Sequence, residues 1–91
     1  MEILKYIFLT IFFIIMDIKE FIENFADQFD DTDASEFKAD TEFKALDEWS
    51  SLTALSIIAM VDEEYDITLK GDDIKNAETI EDLFKTVESK A

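Results

Sequence analysis

From Leu52 to Val61 the chain carries no charge. Within that run Leu52, Ala54, Leu55, Ile57, Ile58, Ala59, Met60 and Val61 wrap nearly the whole circumference of a helix expected from about Ser51 to Tyr65. A small domain cannot bury such an element on one side only. Either the helix is central, or part of it is an apolar contact surface, and both can hold together. The spacing places Ile57, Ile58 and Val61 inward and offers Leu52, Leu55 and Ala59 outward. Every other segment has to be arranged around this helix.

Two further helices follow from periodicity. Ile18, Phe21, Ile22, Phe25 and Phe29 recur at helical intervals and predict a first helix from about Asp17 to Phe29. Ile80, Leu83, Phe84 and Val87 repeat the pattern in the last helix, with Thr79 and Asp82 spaced as a variant of the capping box. Between Asp30 and Trp49 the chain is polar apart from Phe37, Phe43 and Leu46, which are spaced irregularly and are expected to pin a long loop to the core. After Tyr65, Ile67 and Leu69 admit a very short strand. Gly71-Asp72-Asp73-Ile74 reads better as a turn leading into one helical turn. The absence of Pro and the single Gly71 agree with helices joined by polar loops. The expected fold class is all-α, with three main helices plus a short third helix, and no internal repeat or second domain.

Composition narrows the chemistry. At 91 residues the chain is one domain, able to bury only about 60% of the surface its unfolded form exposes. It has no Cys and no His, hence no disulfide, no thiolate and no imidazole to serve as base or metal ligand. Eight Lys against 23 acids give a formal charge of −15. That field repels nucleic acid and anionic membrane and attracts basic protein surfaces. A hydrophobic content of 48% argues against disorder despite the charge.

The amino-terminal segment is of a different kind. Tyr6 to Met16 is apolar except for Thr10, shorter than the ~20 residues a membrane span needs. Lys5 is the only cation ahead of it, Glu2 offsets that charge, and no pair of small residues follows for cleavage, so a signal peptide is a poor match. A chain beginning at Met16 reads Met-Asp-Ile-Lys-Glu-Phe, which opens a helix with an acid at its positive end. Residues 1–15 are therefore expected to be an apolar extension upstream of the native start, with membrane tethering or secretion as the alternative, outside a domain of residues 16–91.

The site-bearing stretch is Trp49-Ser50-Ser51-Leu52, preceded by Phe43, Leu46, Asp47 and Glu48. Together with Thr41-Glu42-Phe43 in the loop, Asp62-Glu63-Glu64-Tyr65 at the end of the central helix and Thr79-Ile80-Glu81-Asp82-Leu83 opening the last one, it resembles the acyl carrier protein family from about Met16 to Ser89. The resemblance implies a four-helix carrier bundle. It implies that Ser51 receives 4′-phosphopantetheine from coenzyme A, with Ser50 the second candidate, and that the arm then carries acyl groups as thioesters. It implies a carrier that is not an enzyme, whose partners are a phosphopantetheinyl transferase and acyl-transferring, ligating or condensing enzymes with basic docking patches. Leu52, Leu55 and Ala59 would supply apolar contacts for them, and Asp47, Glu48, Asp62 and Glu63 the charges. A monomer in the cytoplasm, holding no metal and serving fatty-acid, polyketide or another specialised biosynthesis, completes the expectation. No His or Lys stands beside Ser51 in sequence to activate it, so activation falls to the modifying enzyme.

Two positions depart from the family pattern. Ser50 stands where an Asp usually precedes the modified serine, and Asp47-Glu48-Trp49 replaces a stretch that often holds a Gly. Both departures lean toward a carrier for a specialised pathway.

Other readings compete. A Ser before an apolar run is an ordinary helix cap. Asp31, Asp33, Ser35 and Glu42 match positions one, three, five and twelve of a calcium loop, but Glu36 occupies the sixth position, which requires Gly. Paired acids such as Asp30 and Asp31 would need a cleft to act as catalytic acid and base, and the short chain gives no sign of one. The main alternative is an acidic adaptor that keeps the fold, stays unmodified and binds basic partners through its central helix.

Overall fold

The computed structural model describes residues 17–91, and the expected extension of residues 1–15 lies outside them. Four α-helices, α1 (Ile18–Ala26), α2 (Ser51–Tyr65), α3 (Gly71–Asn76) and α4 (Ile80–Lys90), are joined by loops that contain two single 3-10 turns, Ala34–Glu36 and Phe43–Ala45. No strand occurs among the described residues. Ile67 and Leu69 are buried side chains of an extended connection, in place of the short strand that their alternation admits.

Helix α1 starts where Asp17 caps it, the carboxylate accepting a hydrogen bond from Lys19 N at 2.9 Å. It is shorter than the expected Asp17–Phe29 span. After Ala26 the backbone tightens, with Gln28 N donating to Phe25 O and Phe29 N to Ala26 O. The cause is electrostatic as well as local: Asp27, Asp30 and Asp31 follow, no basic residue stands in the last turn, and acids are unfavourable at the negative end of a helix. Phe29 is buried all the same.

The core is an aromatic spine. Phe25 lies 5.6 Å from Phe29 and 5.3 Å from Phe43, Phe29 lies 4.9 Å from Phe37, and Phe21 meets Phe84 of α4 at 5.4 Å. Such tilted and offset pairs contribute about 0.5–1.5 kcal/mol each beyond the area they bury. Ile57, Met60 and Val61 of α2 and Ile80, Leu83 and Val87 of α4 close around it. Tyr65 joins α2 to α1, its ring 5.8 Å from Phe21 and its hydroxyl accepting from Asn24 Nδ2 at 3.1 Å. Burial, above all, raises its pKa and keeps the phenol protonated.

The long loop between α1 and α2 is held at several places. Phe37 and Phe43 are buried and Leu46 partly so, as their apolar character predicts. The carbonyls of Thr41 and Ala39 accept from Ile80 N and Glu81 N at the start of α4. Lys44 Nζ donates to the carbonyls of Ile74 and Lys75 at 3.3 and 2.7 Å, so a cation satisfies the negative end of α3. Neighbouring parts of the loop are thereby fixed to different helices.

Helix α2 covers the expected residues. Ile57 and Val61 are fully buried and Ile58 is partly buried, with Met60 added to the inner face. Leu52, Leu55 and Ala59 are exposed, as the spacing predicts. The helix ends at Asp66, which adopts a left-handed conformation with φ 56° and ψ 40°. Among the described residues no helix is long and apolar enough to cross a membrane.

Candidate functional site at the start of the central helix

The first turn of α2 is organised by Ser50 and Thr53. Ser50 is extended at φ −157° and ψ 174°, and its Oγ accepts from Thr53 N at 3.2 Å. Its carbonyl accepts the first helical bond, from Ala54 N at 3.0 Å. Thr53 Oγ1 donates to Glu48 O at 3.0 Å. With that hydrogen used, the 3.1 Å contact between the hydroxyls of Ser50 and Thr53 requires Ser50 to donate. The Ser50 hydroxyl is therefore engaged as donor and as acceptor.

Ser51 stands in contrast. It is the first helical residue, it is exposed, and its hydroxyl makes no hydrogen bond to another described residue. The backbone amides of Ser51 and Leu52 likewise have no acceptor among the described residues. Unpaired amides at the positive end of a helix favour an anion. The helix start thus offers an available hydroxyl beside donors that suit a phosphodiester, which is the fit a phosphopantetheine arm demands.

The surroundings supply two kinds of surface. Among the described residues, Leu52 and Leu55 are the large apolar side chains left most exposed, at 75% and 62%. Ala59 extends the same strip, and Asp47, Asp62 and Glu63 are exposed nearby in sequence at the two ends of α2. Asp62, Glu63, Glu64 and Asp66 crowd the negative end of the helix, where no basic residue stands in the last turn. That arrangement costs local stability.

Glu48, expected as a docking charge, is placed differently. Its Oε2 accepts from Asp30 N at 2.9 Å, and its Oε1 accepts from Asp31 N at 2.9 Å and from Thr32 Oγ1 at 2.6 Å. The Thr32 hydroxyl leads in holding its pKa below the usual carboxylate range, with the amides of Asp31, Asp30 and Thr32 assisting. Its carboxylate is a clasp on the turn after α1. Among acids so numerous, nothing in the local sequence separates it from Asp47. Trp49, next along, stacks on Phe29 at 6.4 Å and meets Phe43 edge-on at 5.1 Å.

The acidic loop is likewise built for capping. Asp33 accepts from Ser35 N at 2.8 Å and so starts the first 3-10 turn. Among the described residues no group of three or more acids converges as a metal site would require, and Asp31, Asp33 and Glu42 do not gather into a calcium loop.

Comparison with known proteins agrees with this geometry. No curated protein and no solved structure matches the chain. A sequence profile described as a phosphopantetheine attachment site matches residues 19–87, from the first turn of α1 into the last turn of α4. With most of its length inside that match, and with an all-helical bundle to accompany it, the chain belongs to the phosphopantetheine-attachment family of acyl-carrier-like proteins, whose cofactor is covalently attached 4′-phosphopantetheine.

Proposed function

We propose that the protein carries acyl intermediates as thioesters on a 4′-phosphopantetheine arm attached to Ser51. The observation that favours Ser51 over Ser50 is the division of labour between them. Ser50 commits its hydroxyl to the cap, whereas Ser51 presents an unbonded and exposed one. In the attachment step Ser51 Oγ bonds to the phosphorus of coenzyme A nearer the pantetheine. The phosphoanhydride bond breaks, adenosine 3′,5′-bisphosphate leaves with the electron pair, and a base of the transferase takes the hydroxyl proton. Lys44, the cation nearest in sequence, is committed to α3 and supplies no base.

The protein itself catalyses nothing in this reading. Its contribution is to deliver the tethered thioester at high effective concentration to successive active sites. Leu52, Leu55 and Ala59 form the apolar contact for partner enzymes, flanked by Asp47, Asp62 and Glu63 for basic patches. Charge of this kind raises association rates and makes them salt-sensitive. The concentration of acids at the unfavourable end of α2 supports that role, because it sacrifices local stability without any compensating contact within the described residues. Fatty-acid, polyketide or another specialised biosynthesis in the cytoplasm is the setting.

Intact mass after incubation with coenzyme A and a promiscuous phosphopantetheinyl transferase tests the assignment. Addition of one phosphopantetheinyl group to the unaltered chain and to Ser50→Ala, but not to Ser51→Ala, is expected. Failure of the folded, unaltered chain to gain mass would sink the carrier reading and favour the unmodified adaptor.

A further inference from the structure

We propose that Glu48 is a positioning residue for the attachment reaction: by joining the turn after α1 to the first turn of α2, it fixes the orientation in which Ser51 is presented to the transferase. The inference rests on the carrier reading, and it assigns Glu48 a role distinct from partner docking.

The residue is bonded at both ends. Its side chain reaches back along the chain to Asp30 N, Asp31 N and Thr32 Oγ1, at 2.9, 2.9 and 2.6 Å. Its carbonyl accepts from Thr53 Oγ1 at 3.0 Å, and Thr53 N is the donor that Ser50 caps. A continuous path of hydrogen bonds therefore runs from the turn after α1 through residue 48 to the turn that bears Ser51. Trp49 reinforces the path from the apolar side by packing on Phe29 and Phe43.

Without this brace the segment before Ser51 would be tied to α1 mainly by the Trp49 ring. In-line displacement at phosphorus is sensitive to such freedom, since misplacement by about 1 Å can cost on the order of 100-fold in rate. A carboxylate suits the task because it accepts through both oxygens at once. An amide in its place turns one acceptor into a donor facing a donor.

The test compares Glu48→Gln, Thr32→Val and the double variant as full chains. Steady-state kinetics of transfer from coenzyme A are measured at low and high salt, at a temperature where circular dichroism shows each variant fully folded. A positioning role predicts a fall of about tenfold in kcat for Glu48→Gln, a smaller fall for Thr32→Val, and a double variant no worse than Glu48→Gln alone. KM for the carrier should stay within about twofold and the loss should persist at high salt, because short hydrogen bonds within the chain depend on salt far less than long-range attraction between carrier and transferase does. A KM effect that salt abolishes, with Thr32→Val behaving as the unaltered chain, would make Glu48 a docking charge and overturn the proposal. Unchanged kinetics in every variant would overturn it too, while leaving the carrier reading intact. If the unaltered chain gains no mass, both fall together.

Discussion

The starts of α2 and α4 are built from the same kind of capping residue and end in opposite states. At α4, Thr41 O and Ala39 O take up the amides of Ile80 and Glu81, Thr79 Oγ1 takes that of Asp82, and Thr79 O that of Leu83. Asp82 returns the favour by accepting from Glu78 N and Thr79 N. At α2, Ser50 serves Thr53 and Ala54, and the amides of Ser51 and Leu52 are left open. One end is sealed by its own cap and by the loop between α1 and α2. The other is sealed only halfway, and its open half coincides with the exposed serine. Exposed donors at a helix start are met by water in the free protein and stay available to an anion, which is what the proposed attachment at Ser51 would use.

Several substitutions sharpen or break this contrast. The largest expected effect is functional: Ser51→Ala should abolish phosphopantetheine attachment by intact mass while shifting stability by no more than about 0.5 kcal/mol in denaturant melts. A large loss of stability would show that the Ser51 hydroxyl belongs to the fold and not to a site. Next comes Thr79→Ala, expected to cost about 1–2 kcal/mol because it removes the cap of a helix whose other amides are already paired. Attachment at α2 should be unaffected. Ser50→Ala should cost less, about 0.5–1 kcal/mol, since part of that helix start is already open to water. If it cost more than Thr79→Ala, the two ends would not differ as described.

Smaller effects act at the far end of α2 and across the loops. Asp66 holds a left-handed backbone that Gly adopts freely, and it adds charge beside the helix carbonyls. Asp66→Gly should raise stability by up to about 1 kcal/mol and should slow association with a basic partner slightly. The pH response separates two sets of acids. Asp33, Asp73 and Asp82 are held below the usual carboxylate range chiefly by backbone amides, and Glu48 chiefly by the Thr32 hydroxyl. A lowered folded-state pKa gives stability that is present above the unfolded value, about 4, and is lost as pH falls through the lowered one. Tm should therefore fall as pH drops below about 4.

Much of this was legible in the residues. The extent of α2, its inward and outward faces, the Thr79–Asp82 box and the burial of Phe37 and Phe43 all follow from periodicity, capping chemistry and the need to cover apolar rings. Those signals are local or depend only on hydrophobicity. The early end of α1 was less visible, because Phe29 continues the helical spacing while the acids around it end the helix. The clasp of Glu48, the Lys44 contacts and the loop carbonyls on α4 were not legible. Each joins residues far apart in the chain, and a carboxylate among many acids, or a lysine in a polar loop, reads as solvated until the fold brings its partners close. The same holds for the different hydrogen bonding of Ser50 and Ser51, on which the proposed choice of Ser51 rests.

The stacking of Trp49 on Phe29 and Phe43 has an optical consequence. It is the sole tryptophan, partly exposed and two residues from Ser51. Indole emission responds to changes in nearby polarity and quenching, and every photon from indole in this chain originates at one position beside the helix start. If Ser51 carries the arm as proposed, its loading and the docking of a partner over Leu52 should change this emission and be readable in real time, with no label added.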